Sequence, residues 1–214
     1  MYVKNKMTAN PYTIRFDAPI NEVIELMREK NLKRIPVVDG EKVVGMLTHG
    51  DIQKVSPTKA TTLSIFELNY LLSKTKVSDA MTKDVITVSP DDLLEVAALR
   101  MRENRISTLA VVKDDKLVGI ITESDIFDAF IDLLGFREAG SRITVLAADV
   151  PGALADIGEI FKSFDVNITH IAAFRGGGGT SDVVIRTNAA DTEDVEKRLE
   201  EQGYKIEHVI RNFE

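Results

Sequence analysis

The spacing Thr-x-x-Asp occurs twice in the chain, as Thr48 with Asp51 and as Thr122 with Asp125. Residues three positions apart lie on the same face of a helix, so a threonine hydroxyl and a carboxylate can contact one molecule together. A carboxylate in the first helical turn can accept hydrogen bonds from two hydroxyl groups, and such charge-assisted bonds are strong. The alternative is helix capping, because threonine is a good N-cap and aspartate favours the first turn.

Lys33 and Arg34 form a basic pair directly before an apolar, strand-like segment. Two adjacent cations suit a group that carries several negative charges. The matching positions later in the chain are Ser107 and Thr108, with only Arg105 close by, so the two places are expected to differ in their affinity for such a group. The alternative is a solvated helix end, where the helix dipole favours cations in any case.

An internal repeat organises the first two thirds of the chain. A gapless offset of 74 residues runs from Val3 and Val77 to Ile52 and Ile126 (77 − 3 = 126 − 52), and 16 of the 50 aligned positions are identical. One copy is too small to bury its own faces well, so the two copies are expected to pack together.

Each copy predicts the order β-α-β-β-α. The first strand is expected at 12–14 and at 85–88, and the helix after it carries apolar residues at helical spacing. Two strands then flank a polar turn, which is a hairpin signal, and the second helix begins at the threonine of Thr-x-x-Asp. Between the copies, Ser56-Pro57-Thr58 is expected to end a helix. A short helix packed on the repeats is predicted from Ile65, Leu68, Leu71 and Leu72.

The doubled pattern Gly-x-x-Thr-x-x-Asp-Ile, placed after an apolar strand, resembles a pair of CBS domains over about residues 1–132. The resemblance implies clefts between the repeats that bind an adenosine-containing ligand such as AMP, ADP, ATP or S-adenosylmethionine, with no required cofactor. It assigns the ribose hydroxyls to the two aspartates and the phosphates to the basic pair. The candidate nucleotide-binding residues are Thr48, Asp51, Thr122, Asp125, Lys33, Arg34, Thr13 and Thr87.

A different pattern begins after residue 140, with predicted elements in the ferredoxin-like order β-α-β-β-α-β. The motif Asp-x-Pro-Gly that starts at Asp149, together with Asn167, resembles an ACT domain over about residues 141–214. The resemblance implies that Asp149, Gly152 and Asn167 hold a small amino acid at a contact between subunits. Ala147 stands where a serine-sensing ACT domain carries an imidazole, and many ACT domains serve only to dimerise, so both interpretations stay open.

Together these patterns predict an α/β (α+β) chain of tandem CBS repeats followed by an ACT domain. The predicted parts are a first repeat at 1–54, a linker with a short helix at 55–75, a second repeat at 76–134, a hinge at 135–140 and an ACT domain at 141–214. Their order and length are similar to those of the acetoin-utilisation family of CBS–ACT proteins, which supports a regulatory role.

Composition narrows the classes of function. The 214 residues carry a formal net charge of −7, and an acidic chain repels phosphate backbones, so no nucleic-acid partner is expected. There is no cysteine, and the three histidines lie in different predicted elements, so we expect neither a metal site nor acid–base catalysis. No stretch approaches the roughly 20 apolar residues of a membrane span, and we expect a cytoplasmic protein without a membrane partner.

The leading hypothesis is a regulatory homodimer, and not an enzyme, that senses an adenosine nucleotide. A ligand between two repeats shifts their packing if it binds one arrangement better than the other. An amino acid at the ACT domain and a regulated enzyme are further candidate partners. The alternative hypothesis is a structural or partner-binding dimer with empty clefts.

Overall fold

The structure, a computed structural model, describes residues 1–55 and 64–212. The chain divides into two compact units, Met1–Phe127 and Asp128–Glu214. Helices and strands are both present in each unit, so the predicted α/β (α+β) class is confirmed. The predicted helix break at Ser56-Pro57-Thr58 lies outside the described residues.

The first repeat begins with a short 3-10 helix at Val3–Asn5. Its further elements, in chain order, are β1 (Thr8–Ala9), β2 (Ile14–Arg15), α1 (Ile20–Glu29), β3 (Arg34–Asp39), β4 (Lys42–Thr48) and α2 (His49–Val55). Ile20, Val23 and Met27 of α1 are buried, which confirms the apolar face predicted from their spacing.

Helix α3 (Ile65–Lys74) follows the first repeat and is the short helix that the sequence predicts. Ser64 and Glu67 form a capping box, in which each side chain accepts a hydrogen bond from the other residue's amide. Leu72 packs against the core of the first repeat, whereas Leu71 is exposed. The predicted contacts of Ile65 and Leu68 lie outside the described side chains.

The second repeat follows the first closely. Its elements are α4 (Val77–Ala80), β5 (Thr87–Val88), α5 (Leu94–Asn104), β6 (Thr108–Lys113), β7 (Lys116–Thr122) and α6 (Glu123–Leu133). Four elements start 74 residues after their counterparts (94 − 20, 108 − 34, 116 − 42 and 123 − 49). The predicted first strands are wrong in extent, because β2 and β5 each pair over only two residues, and Tyr12, Val85 and Ile86 precede them as loop.

The two repeats exchange their N-terminal segments. Strand β1 pairs antiparallel with β7, which places Thr8 opposite Ile120. The matching residue of the second repeat, Thr82, pairs with Met46 of β4 through two backbone hydrogen bonds of 2.9 Å. Strand β1 of the first repeat thus belongs to the sheet β1-β7-β6-β5 of the second, and an isolated bridge from Thr82 joins the second repeat to the sheet β2-β3-β4 of the first.

Glycines lie where these exchanged segments cross the last strand of each repeat. A Cβ atom at Gly119 would lie 2.7 Å from Sδ of Met7 and 3.0 Å from the backbone oxygen of Thr8. A Cβ atom at Gly45 would collide with the side chain of Met81. Glycine leaves room for the exchange at both crossings, because the methionine of the other repeat occupies the space of a side chain.

The second unit contains the predicted β-α-β-β-α-β order. Its elements after α6 are β8 (Gly140–Ala148), α7 (Ala153–Ser163), β9 (Ile168–Arg175), β10 (Thr180–Thr187), α8 (Glu193–Glu201) and β11 (Lys205–Asn212). The strands form an antiparallel sheet in the order β11-β8-β10-β9. One face of this sheet packs on α7 and α8 around a core that includes Ile143, Phe161 and Leu199.

We expect the substitution Gly119→Ala to lower the free energy of unfolding by about 1–3 kcal/mol, which is the usual cost of overpacking. A Cβ at position 119 would stay in tight contact with the backbone oxygen of Thr8 even after the flexible Met7 side chain moves. Urea unfolding measures the change, and Gly177→Ala is the control because its Cβ would meet nothing within 4 Å. A Gly119→Ala protein as stable as the control would contradict the crossing.

Candidate functional site

Thr48 and Asp51 bond to each other at the start of α2. The amide and hydroxyl of Thr48 donate to Oδ2 of Asp51 at 3.1 and 2.6 Å, and the Asp51 amide donates to the Thr48 hydroxyl at 3.3 Å. Nζ of Lys54 donates to the other carboxylate oxygen at 2.9 Å. The pattern is that of a capped helix, and it fixes a carboxylate that is only 8% exposed.

These contacts keep the Asp51 carboxyl ionised. Burial is the largest single influence and opposes ionisation, but the hydrogen bonds from Thr48 and the ammonium group of Lys54 together outweigh it. The pKa of Asp51 therefore lies below its ordinary value of 3.8. The carboxylate is charged at neutral pH and can accept hydrogen bonds from the hydroxyls of a ligand.

The second copy repeats this geometry with one difference. The amide and hydroxyl of Thr122 both donate to Oδ2 of Asp125 at 2.7 Å. The position that corresponds to Lys54 holds Asp128 (54 + 74 = 128), so the lysine has no counterpart. Among the residues that the structure describes, none donates a hydrogen bond to Oδ1 of Asp125, and this oxygen can receive one from a ligand.

A cavity of about 400 Å³, here called the first cleft, lies beside Thr48 in the first unit. Arg34 also lines it, and from the second repeat Arg105, Ser107 and Thr108 do so. Nη1 of Arg34 donates to Oγ of Ser107 at 2.7 Å and also to Oγ1 of Thr108. The basic residue of one copy and the hydroxyl residues at the matching positions of the other therefore meet in one cleft. Its volume lies in the range of small-molecule sites.

The loop before β5 forms another wall of the first cleft, with Asp84, Val85 and Ile86. Met46 and Ile106 add apolar surface. Sequence reasoning missed this wall, because it assigned 85–88 to a strand. The offset of 74 residues shows which residues of the two copies correspond. It does not reveal that one cleft combines the helix start of one repeat with a loop of the other.

Several candidate residues lie outside the described lining of the first cleft. Lys33 and Thr13 are exposed and do not line it. Thr87 belongs to β5, where its carbonyl accepts a hydrogen bond from Arg100 at 2.6 Å. Asp51 does not line the first cleft either, but it bonds to Thr48, and Thr48 does line it.

The candidate amino-acid residues lie at two different ends of a strand. Asp149, in the loop between β8 and α7, forms an ion pair of 3.1 Å with Arg175, the last residue of β9. Gly152 precedes α7 with a φ angle of 96°. Asn167 directly precedes β9, so it lies eight residues before Arg175 along the strand, or about 26 Å away. Within one chain, Asp149 and Asn167 therefore cannot contact the same small molecule.

The histidines do not gather into a metal site. His49 is exposed at the start of α2, and His170 lies in β9 with Nδ1 3.5 Å from Oε2 of Glu138. Across residues 1–55 and 64–212, no group of three or more His, Asp or Glu side chains could hold a metal ion. No helix in the same ranges is long and apolar enough to cross a bilayer.

Comparison with known proteins identifies the family. A model of the CBS domain matches residues 3–57 and 77–132, and a model of the ACT domain matches 141–203. The chain therefore belongs to the CBS-domain family and carries a C-terminal ACT domain. It is similar to an acetoin utilization protein (AcuB) from Vibrio cholerae, with 30% identity and a TM-score of 0.53 over 64% of this chain and 95% of that one.

Two further similar structures contain adenosine ligands. The CBS domain pair of protein MJ0100, solved with 5′-methylthioadenosine and S-adenosyl-L-methionine, is 30% identical with a TM-score of 0.50, over 61% of this chain and 99% of that one. CBSX2, solved with AMP, is 26% identical with a TM-score of 0.53, over 62% of this chain and 97% of that one.

The curated relatives include larger enzymes. Homoserine O-acetyltransferase from Methanococcus vannielii is 40% identical over 126 residues, which are 58% of this chain and 24% of that protein. The chain thus spans about a quarter of the length of the first curated relatives. The shared part is the CBS region, which is a regulatory and not a catalytic domain.

We expect Asp51→Asn to destabilise the protein at neutral pH and to have less effect as the solution becomes acidic. A carboxyl whose pKa is lowered by folding contributes stability above its unfolded pKa, and this contribution is lost as the pH falls through the folded pKa. The free energies of unfolding of wild type and variant should therefore converge below the ordinary value of 3.8. Urea unfolding between neutral and strongly acidic pH tests this, and a constant difference across the range would contradict it.

Proposed function

We propose that this chain is a regulatory sensor that binds an adenosine-containing nucleotide between its CBS repeats. The observation that carries the proposal is the first cleft, which combines Arg34 and Arg105 with the hydroxyl of Thr48 and an apolar wall. The adenosine ligands of MJ0100 and CBSX2 support the same ligand class here.

The ribose is proposed to bind the Thr-x-x-Asp pairs. In the first copy its hydroxyls displace Lys54 from Asp51, and this ion pair is easily exchanged because the lysine side chain is 76% exposed. An exposed pair contributes about 0–1 kcal/mol, whereas a hydrogen bond to a charged group contributes about 1.5–3 kcal/mol. In the second copy Oδ1 of Asp125 accepts a ribose hydroxyl without displacing a lysine.

The phosphate group is proposed to bind Arg34 and Arg105. A guanidinium group has five N–H donors, and only Nη1 of Arg34 bonds to Ser107 and Thr108, so donors remain for phosphate oxygens. Asp84 in the same lining reduces the charge of the cleft to one net positive charge (two arginines, one aspartate). This balance favours a short phosphate group over a triphosphate.

We expect AMP to bind the full chain in calorimetry, and the double variant Asp51→Asn, Asp125→Asn to bind it at least tenfold more weakly. Losing one charge-assisted hydrogen bond per site costs about 1.5–3 kcal/mol, and tenfold in affinity is about 1.4 kcal/mol. Asp91→Asn is the matched control, because Asp91 is exposed and pairs with Lys4. ADP, ATP and S-adenosylmethionine, titrated in parallel, identify the ligand.

Two single variants separate phosphate binding from adenosine binding in the same experiment. Arg34→Met should weaken the binding of AMP more than the binding of adenosine. Lys33→Met should leave both affinities unchanged, because Lys33 does not line the first cleft. Equal losses for AMP and adenosine would mean that Arg34 supports the fold. If none of the nucleotides binds, the chain is instead a structural or partner-binding dimer with empty clefts.

We further propose that the chain has no catalytic activity of its own and transmits the bound state to a regulated enzyme. The domains that it contains are regulatory domains, and its larger relatives carry the CBS region as part of an enzyme. The ligand can shift the packing of the repeats only by binding one arrangement better than another.

A homodimer is proposed to complete the amino-acid site of the ACT domain. Asp149 and Asn167 lie too far apart in one chain to share a ligand, but Asp149 and Gly152 of one copy can meet Asn167 of a second. Strands β9 and β11 are the outer strands of the described sheet, and outer strands are usually covered or paired. Two-fold pairing is the commonest arrangement of soluble oligomers.

Light scattering on the full chain should give twice 23.7 kDa at micromolar concentration. A monomer at that concentration would contradict the dimer and, with it, the shared site. For any amino acid that binds in calorimetry, Asp149→Ala and Asn167→Ala should each abolish binding. An equal mixture of the two variants should regain part of it, because a mixed dimer contains one intact site.

A further inference from the structure

Two arginines lie directly opposite each other in the sheet of the second unit. Arg142 of β8 and Arg186 of β10 are register partners, and His170 of β9 is the partner of Arg186 on its other side. Like charges in directly opposite positions destabilise a sheet. The two arginines of this basic row (His170, Arg186 and Arg142) therefore favour a compensating negative charge nearby.

The described residues do not supply that charge to Arg186, which is only 6% exposed. None of them forms an ion pair or accepts a side-chain hydrogen bond from it, and the ring of Phe136 lies 5.6 Å from the guanidinium carbon. Glu138 influences Arg186 by electrostatic attraction at a distance and not by direct contact, because the carboxylate of Glu138 lies next to His170. Burial, followed by repulsion from Arg142, lowers the pKa of Arg186. A buried charge without a partner is costly and rare.

A cavity of about 650 Å³ lies over these arginines within the second unit. Arg142 and Arg186 are its only charged lining residues in the described part of the chain, and the others are apolar, with Phe130, Phe136 and Phe174 among them. Nη1 of Arg142 donates to Oγ1 of Thr144 at 3.0 Å, which holds this guanidinium in place. An apolar cavity with a few convergent polar groups is typical of small-molecule sites.

We propose that this cavity binds a monocarboxylate with an apolar body, such as a medium-chain or aromatic acid. The carboxylate accepts paired hydrogen bonds from Arg186, with Arg142 beside it, and the apolar body packs against the phenylalanines. The lining contains no carboxylate for an ammonium group, which excludes an amino-acid zwitterion. It also offers few donors beyond the two arginines, which disfavours a phosphate with more oxygens to satisfy. The site is separate from the first cleft and does not depend on nucleotide binding.

Titration of the full chain with acetate, butanoate, hexanoate and hexanamide tests the charge and the apolar body separately. We expect affinity to rise about fourfold per methylene, since each buried CH2 contributes about 0.8 kcal/mol. Hexanamide, which has the same chain but no charge, should bind at least tenfold more weakly than hexanoate. Equal binding of the amide and the acid, or no binding of hexanoate, would overturn the proposal.

Variants of the basic row test whether the arginine serves a ligand or the fold. Arg186→Met should weaken the binding of hexanoate at least tenfold. It should not lower the thermal midpoint of the unliganded protein, because it removes an uncompensated buried charge. Arg142→Met should also weaken the binding of hexanoate. Lys162→Met on α7 is the control and should leave it unchanged, since Lys162 pairs with Glu159 on the helical side of the sheet. A lower midpoint with unchanged hexanoate binding, or a change of oligomeric state in light scattering, would overturn the proposal.

Discussion

The exchange of N-terminal segments between the two repeats is the constraint on which the first unit depends. Backbone hydrogen bonds tie Thr82 to Met46, and β1 to β7, so neither repeat completes its sheet alone. The glycines at the two crossings are a consequence, because the exchanged segment occupies the space of a side chain. The first cleft is another consequence, since the same exchange brings the loop before β5 beside the start of α2.

Charge is distributed unequally between the copies, although their backbones match. Asp51 is held by Thr48 and Lys54, whereas the lysine's place in the second copy is taken by Asp128. Arg34 bonds across to hydroxyl residues of the second repeat instead of to a residue of its own. Duplication thus preserves the architecture, while different residues at matching positions give the two Thr-x-x-Asp pairs different surroundings.

Much of the fold could be predicted from the sequence, because the repeat and the hydrophobic periodicity are local patterns. The helical face of Ile20, Val23 and Met27 is one example, and the ferredoxin-like order of the second unit is another. The first strands were predicted too long, because β-prone residues such as Val85 and Ile86 line a cleft instead of pairing. The β-propensity of a segment does not determine whether a partner strand lies beside it.

The parts of the sites that sequence reasoning missed are contacts between distant residues. Arg34 and Ser107 are 73 positions apart, and both were considered separately as members of different clefts. Arg142 and Arg186 each look like an ordinary polar residue of an alternating strand, and only the register of β8 and β10 makes them neighbours. Register depends on turns and packing across the whole sheet, so it is not readable from either strand alone.

Arg34 links the two repeats and is also one of the residues proposed to contact the ligand. Its guanidinium bridges from β3 of the first repeat to Ser107 and Thr108 at the start of β6 in the second. In the proposed mode of binding, a phosphate uses the donors of this guanidinium that Ser107 and Thr108 leave free, so the same side chain contacts both the ligand and the second repeat. If the proposed nucleotide binds, the free energy available for signalling is limited to the difference in its binding to the alternative arrangements of the repeats.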